Sequence, residues 1–258
     1  MPRSLLLPFA LRTLGFVLLL AIGCSKDEPS RGPTPAQASS IVSAAKPSSS
    51  AAPESSAAKP AKPSGRDGND PLFHPENATL TAPDKFRVEF VTTKGNFIIE
   101  VTRAWSPHGA DRFFNLVKLG FYDGVRFHRA IDDFMVQFGI HPEPAVNGAW
   151  YNAFFPDDPV IESNRRSYVT FAHAGKNSRT SQIFISYVDK QRRLDKDGFS
   201  PFGKIVEGMN VVDSLYKGYG ELGPKGKGPN ASRVQREGQA YLDAEFPKLD
   251  AIKQARVL

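Results

Sequence analysis

The feature that most constrains this 258-residue chain is where its large apolar residues are missing. From Ser25 to about Asp70 the sequence is dominated by Ala, Ser, Pro and Lys, as in PTPAQASSIVSAAKPSSSAAPESSAAKPAKPSG. A stretch of that kind cannot bury enough apolar surface to offset the entropy lost on ordering it. Nearly all the large apolar side chains lie in the first two dozen residues and in everything after about Lys85. Length alone would admit two domains, but this distribution leaves room for one packed core.

The opening MPRSLLLPFALRTLGFVLLLAIGC carries Arg3 and Arg12, an apolar run from Leu14 to Ile22, and the small residues Ala21 and Gly23 before a cysteine. A basic flank, an apolar centre and small residues at the end are the layout of a secretory signal. The run after Arg12 is well short of the ~20 apolar residues that span a bilayer. Cys24 is the only cysteine, so no intramolecular disulfide can form. The segment Leu20 to Cys24 resembles a bacterial lipobox, with Ala21 where leucine is commoner. That resemblance implies cleavage after residue 23 and acylation of Cys24, the alternatives being an uncleaved anchor or an ordinary signal with an incidental cysteine. Acyl chains contribute about 0.8 kcal/mol per buried methylene, and more than one chain gives stable anchoring. Ser25, rather than an aspartate, follows the cysteine, which points to the periplasmic face of an outer membrane.

The expected organisation is therefore a signal at 1–23, a lipidated cysteine and disordered tether at 24–83, and a folded domain with a C-terminal extension at 84–258. A flexible coil as long as this tether has a root-mean-square span of roughly 35 to 40 Å, enough to keep the domain near a membrane without lying on it. The net charge of +6 falls to about +4 once Arg3 and Arg12 leave with the signal, and the tether is nearly balanced. So small and dispersed an excess argues against nucleic acid as a partner.

In the folded part, Phe86 to Phe90 alternates apolar and polar, Thr93 to Asn96 supplies turn residues, and Phe97 to Val101 is again strand-like, which predicts an opening hairpin. Ser106 and Pro107 sit where an N-cap and a first helical residue belong, and Ala110, Phe113, Phe114 and Val117 follow at helical spacing as far as Gly120. Short apolar runs at 125–127, 134–138, 168–172, 183–187 and 202–206 are separated by Gly, Pro, Asn and Asp. They argue for a closed sheet rather than alternating strands and helices. Met209 to Tyr216 predicts a second short helix. The glycine-rich, basic stretch 218–229 predicts a surface loop, and the tail from Arg233 a polar helix-like segment before a last strand at 252–257.

Four patches, HGADRFFNLVKLGFYDG, FYDGVRFHRAIDDFMVQFG, VTFAHAGKNSRTSQIFI and RLDKDGFSPFGKIVEGM, resemble the cyclophilin family in composition, order and spacing across roughly residues 86 to 216. The resemblance implies a mainly β fold, a closed antiparallel eight-stranded barrel capped by two α-helices, and peptidyl-prolyl cis-trans isomerase activity with no cofactor. Rotation about an X-Pro bond faces an amide barrier of ~18–20 kcal/mol and needs neither proton transfer nor a covalent intermediate. The enzyme must bind the twisted amide better than either planar form. In that state the prolyl nitrogen is pyramidal and accepts a hydrogen bond, so a fixed cation beside an apolar pocket suits the task. Arg129 matches the family's catalytic arginine. Phe134 and Met135 match two pocket walls, Phe184 its floor, and Leu194 and Phe199 the far rim. Gln137 and Gln182 match the glutamines that hold the arginine and contact substrate backbone. Ala172 and His173 match the segment that pairs with the peptide main chain, with His173 in place of the usual asparagine.

His128 resembles the family's structural histidine rather than a base. The remaining histidines show no metal-ligand spacing, and no nucleophile and base pair or phosphate loop is apparent. Three departures bear on specificity. Arg193 replaces a tryptophan next to the rim leucine, which implies weakened cyclosporin binding. The segment IHPEPAVNGAWYNAFFPDDP replaces a glycine-rich loop after Gly139 and should reshape the subsite for residues preceding proline. The rim LDKDGFSPFG is one residue longer than the common form. The expected partners are proline-containing unfolded or flexible polypeptides, and a monomer is expected. The competing reading is a peptide-binding or chaperone module with incidental isomerase activity, against which the intact arginine counts.

Overall fold

The structure is a computed structural model that describes residues 67–189 and 191–258. The signal, Cys24 and most of the tether lie outside the described residues.

The alternation read from the sequence becomes a hairpin of β1 (Lys85–Thr92) and β2 (Asn96–Thr102), paired from Lys85 opposite Thr102 to Val91 opposite Asn96. Its inward residues, Phe86, Val88, Phe90, Phe97, Ile99 and Val101, are all buried. Six more strands follow: β3 (Arg129–Ile131), β4 (Met135–Phe138), β5 (Tyr168–Phe171), β6 (Ile183–Ser186), β7 (Pro201–Glu207) and β8 (Ile252–Val257). They make one antiparallel sheet in the order β3-β4-β6-β5-β7-β2-β1-β8. The predicted run at 125–127 is not a ladder strand. It joins the two ends of the curled sheet instead: Gly124 N–H donates to the Ile252 carbonyl (2.9 Å), Ile252 N–H to Val125 (2.9 Å) and Phe127 N–H to Asp250 (3.0 Å). The core inside is aromatic, with the Phe90 ring 5.0 Å from Phe97, 6.2 Å from Phe113 and 5.9 Å from Phe138.

Five helices stand among the described residues, α2 and α3 in addition to those read from the sequence: α1 (Pro107–Lys118), α2 (Pro144–Trp150), α3 (Arg192–Lys196), α4 (Met209–Asp213) and α5 (Ala231–Glu245). α1, α4 and the tail helix α5 fall where the sequence placed helical segments, and α1 and α4 lie on the sheet, against β7 and β8 and against β2 respectively. Ser106 does not cap α1 with its own side chain. The buried Asp158, some fifty residues on, accepts from the N–H groups of His108 (3.1 Å) and Gly109 (2.9 Å) and from Ser106 Oγ (2.6 Å), placing a carboxylate on the positive end of the helix.

α2 and α5 pack on each other because α5 is kinked at Gly238, at φ 62°. A Cβ there would overlap the Pro142 carbonyl and the Pro144 ring, so glycine permits both the backbone angle and the close approach. Val234, Tyr241 and Leu242 of α5 form a small apolar cluster with Ile140 and Leu249, which is why this extension holds a fixed place.

The tether boundary at 83 is also corrected. Residues 71–82 run along the domain through the 3-10 turns Pro71–Phe73 and Pro75–Asn77. Leu72 is buried in the main core, and its carbonyl accepts from Trp150 Nε1 (2.8 Å). Asn115 of α1 exchanges two hydrogen bonds with the backbone of Leu80 (3.0 and 2.7 Å), and Ala82 N–H donates to Asp111 (2.8 Å). Only Leu72 and Phe73 are large apolar residues in 71–77, too sparse a signal to separate this stretch from the tether by composition.

Candidate active site

Strand register alone assembles the centre of the site. Arg129 pairs with Gln137 across β3 and β4, and Gln137 pairs with Phe184 across β4 and β6. Directly opposed residues face the same side of a sheet, and residues two apart share a face. Arg129, Met135, Gln137 and Phe184 therefore project from one face while Ala130, Val136, Ile183 and Ile185 project into the core. Met135 and Phe184 are buried without belonging to that core, and Phe134, half-buried in the tight β3–β4 turn, lies beneath the Arg129 guanidinium at 5.9 Å.

A chain of hydrogen bonds fixes the polar side. Arg129 Nη1 donates to Gln137 Oε1 (2.9 Å), and Gln137 Nε2 donates to Gln182 Oε1 (2.9 Å). Each amide thus satisfies its neighbour, as polar groups beside an apolar floor require. Ala172 N–H donates to the Gln182 carbonyl (2.9 Å) and extends the β5–β6 pairing past the end of the strands. His173 then stacks on Phe199 with ring centroids 3.9 Å apart, and Phe199 meets Phe184 edge to face at 5.7 Å. Phe184, Phe199 and His173 make one continuous aromatic wall. Leu194 stands in α3, half-buried, and its carbonyl accepts from Phe199 N–H (3.0 Å). The ten residues expected in the domain site are thus brought to one side of the sheet; Cys24 lies outside the described residues.

The family model of cyclophilin type peptidyl-prolyl cis-trans isomerase/CLD matches residues 87–235. A peptidyl-prolyl cis-trans isomerase of Helicobacter pylori is 33% identical over 129 residues, covering 49% of this chain and 78% of that protein. The human peptidyl-prolyl cis-trans isomerase-like 3 is 35% identical over 132 residues, covering 49% and 79%. The chain belongs to the cyclophilin-type peptidyl-prolyl cis-trans isomerases. Among solved structures, a cyclophilin type isomerase of Cryptosporidium parvum is similar with a TM-score of 0.49 at 22% identity, covering 67% of this chain and 98% of that one.

As a cyclophilin the protein is an enzyme acting on X-Pro bonds, and its own departures are now placed. The longer rim is held from behind by Asn164, fully buried, whose Nδ2 donates to Asp195 Oδ1 and to the Phe199 carbonyl, both at 2.8 Å. Asp195 also accepts from Asn164 N–H (2.8 Å) and from Ser163 Oγ. Arg193 projects from α3 with its side chain 94% exposed, so nothing replaces a rim tryptophan there. The segment after Gly139 contains the packed helix α2. Trp150 is buried against Phe121 at 5.4 Å, and Arg112 is sandwiched between Trp150 and Phe155 at 5.2 and 5.1 Å. Between α2 and α5 lies an open cleft of about 560 Å³ lined by Pro144, Ala145, Gly148, Tyr151, Gln235 and Arg236. It adjoins a small hollow beside Gly139, Ser181 and Gln182.

His128 is buried next to Arg129. Burial first, and the adjacent guanidinium second, push its pKa down to about 4, so it is neutral at pH 7 and is no proton carrier for this site.

One contact of this cyclophilin was not anticipated. Arg129 Nε and Nη2 each donate to the Glu221 carboxylate at 2.6 Å. The signal available in the sequence was slight, a single acidic residue in the otherwise basic, glycine-rich stretch 217–230.

Proposed function

We propose that Arg129 is the catalytic residue, donating from its guanidinium to the prolyl nitrogen as the amide twists, while Phe134, Met135 and Phe184 hold the pyrrolidine ring. The observation that carries this is the shared face of Arg129, Gln137, Met135 and Phe184, which sets a permanent cation at the edge of an apolar floor. A charge-assisted hydrogen bond is about twice as strong as a neutral one, and each 1.4 kcal/mol of preferential stabilisation gives about tenfold in rate. No group has to titrate, so the rate should be flat across neutral pH. Gln182 and the main chain at Ala172 and His173 bind the substrate backbone. Because Ala172 N–H is already bonded to Gln182, pairing there falls to the Ala172 carbonyl and to His173. Residues preceding the proline run toward the cleft between α2 and α5, whose Tyr151, Gln235 and Arg236 favour polar or acidic side chains over bulky apolar ones.

We further propose that the enzyme works at the cell envelope, tethered through an acylated Cys24, on secreted or envelope polypeptides that reach it unfolded or flexible. The layout of residues 1–24 and the Ala/Ser/Pro-rich stretch behind it support this. Two measurements test the proposal. Exchange NMR of an Ala-Pro tetrapeptide with the purified protein should give cis-trans cross-peaks; line broadening without exchange would mean binding alone. Mass spectrometry of the mature protein should find an acylated Cys24 at the N-terminus, and an intact Met1 or an unmodified cysteine would sink the anchor.

A further inference from the structure

We propose that Glu221 is a positioning residue for isomerisation: its carboxylate sets the plane of the Arg129 guanidinium so that the remaining Nη hydrogens face the substrate. This rests on the reading of Arg129 as the catalytic residue.

A guanidinium has five N–H donors in a rigid planar fork. Nε and one hydrogen of Nη2 go to the two oxygens of Glu221, and one hydrogen of Nη1 goes to Gln137. One N–H on Nη1 and one on Nη2 remain, and the Nη2 hydrogen lies on the outer edge because the inner one is taken by the carboxylate. Without Glu221 the guanidinium would be held by one hydrogen bond and by the Phe134 ring, and rotation about its stem would spread those donors over many directions. Fixing a reacting group in one direction is a large part of what a site contributes to rate.

A carboxylate beside the catalytic cation also offsets its charge, and the two effects oppose each other. The side chains are 22% and 34% exposed, so solvent and salt screen the charge effect. The fork geometry is not screened, and orientation outweighs neutralisation here.

The loop that carries Glu221 is built around it. Leu222 N–H donates to Glu221 Oε1 (2.8 Å), and Gly228 N–H donates to the Glu221 carbonyl (2.8 Å). A Cβ at Gly226 would overlap that same carbonyl, so this stretch needs glycine for close approach rather than for looseness. Upstream, Lys217 pairs with Asp132 of the β3–β4 turn (2.9 Å) and sits 4.5 Å over the Tyr187 ring. Downstream, Tyr219 packs edge to face on Tyr216 and Phe246 at 5.0 Å each, tying the loop to the cluster of α5. The extension between α4 and β8 thereby acquires a role, that of delivering one carboxylate to the back of the arginine. The hydrogen bonds from Arg129 hold the Glu221 carboxyl below its ordinary range, which keeps it ionised at neutral pH.

The test compares the full chain with Glu221→Gln, which keeps shape and one acceptor, and with Glu221→Ala. On an Ala-Pro tetrapeptide, kcat should fall about tenfold in the Gln variant, the loss of roughly one charged hydrogen bond, and further in the Ala variant, with KM within about twofold. The 15N–H signal of Arg129 Nε should lose its protection from solvent exchange. The acid limb of the wild-type rate, where Glu221 takes up a proton, should vanish in the Gln variant. A wild-type kcat in both variants would overturn the proposal, and so would a raised kcat, which would make the pair a brake. A kcat loss that merely tracks a lowered melting temperature, with the acid limb intact, would do the same. Arg129→Ala run alongside separates the two readings. If it is inactive while Glu221→Gln is unaffected, only the positioning role falls; if it turns over like wild type, the catalytic assignment falls first.

Discussion

Gln137→Leu isolates the orienting network with little change of shape. The side chain bridges Arg129 Nη1 and Gln182 Oε1 at 2.9 Å each, while the pairing of β4 with β3 and β6 is main-chain and survives. A hydrogen bond to a charged donor is worth about 1.5–3 kcal/mol and a neutral one about 0.5–1.5 kcal/mol. The site is half-exposed, so water replaces part of both in the folded state, and stability should fall by about 1 kcal/mol. For a domain of this size that lowers Tm by about 3 °C. In the transition state the loss is felt more, because Arg129 keeps only its fork to Glu221 and Gln182 loses its orientation toward the substrate backbone. We expect 1–2 kcal/mol of lost stabilisation, on the order of five- to thirtyfold in kcat/KM, read by exchange NMR or by a protease-coupled assay. A rate within twofold of wild type would refute the network. So would a Tm drop above about 10 °C, which would mean that Gln137 chiefly supports the fold.

Beginning the chain at residue 84 instead of 67 should cost about 3 kcal/mol in urea unfolding, since it removes the buried Leu72 side chain and its carbonyl bond to Trp150 together with the Leu80 and Ala82 contacts; equal midpoints would show that residues 71–82 add nothing. His128, with a folded pKa near 4 against an ordinary 6.5, binds a proton more readily when unfolded. Stability is therefore complete above pH 6.5 and is lost as the pH falls toward 4, by about 3 kcal/mol over that interval; the slope should shrink in His128→Gln, and an unchanged slope there would assign it to other groups. Arg193→Trp should tighten cyclosporin binding without altering turnover, measured by titration and by the tetrapeptide rate; unchanged affinity would place the obstacle elsewhere on the rim.

Most strands were legible as short apolar runs between turn residues, and the central site was legible through the resemblance of the patches around Arg129, Gln182 and Phe199 to the cyclophilin family. The row Arg129, Gln137, Phe184 follows from register once β3, β4 and β6 are paired; β4 and β6 announce themselves as apolar runs between turns, while β3 lies just past the run at 125–127 that the sequence suggested. What stayed hidden depends on contacts distant in sequence. Asp158 caps a helix some fifty residues away, so the Ser106–Pro107 start was read correctly while its capping partner was not. The 71–82 segment offers few large apolar residues, and its attachment depends on the backbone of Leu80 meeting Asn115. Glu221 sits ninety-two residues from Arg129 in a stretch whose glycines read as flexibility, although the close approach at Gly226 makes them a packing requirement. α2 was hidden because it is only seven residues long and carries Gly148 in its interior, and it is Trp150 and the kink of α5 that hold it.

The most direct measurement on the central claim is the cis-trans exchange rate of an Ala-Pro tetrapeptide with wild-type protein, Arg129→Ala and Arg129→Lys, each checked for an unchanged Tm. Wild type should accelerate exchange, the Ala variant should lose at least about a hundredfold of kcat/KM, and the Lys variant, which keeps the charge without the planar fork, should recover only a small part. An Ala variant that turns over the peptide at the wild-type rate would contradict the assignment of Arg129 and with it the mechanism.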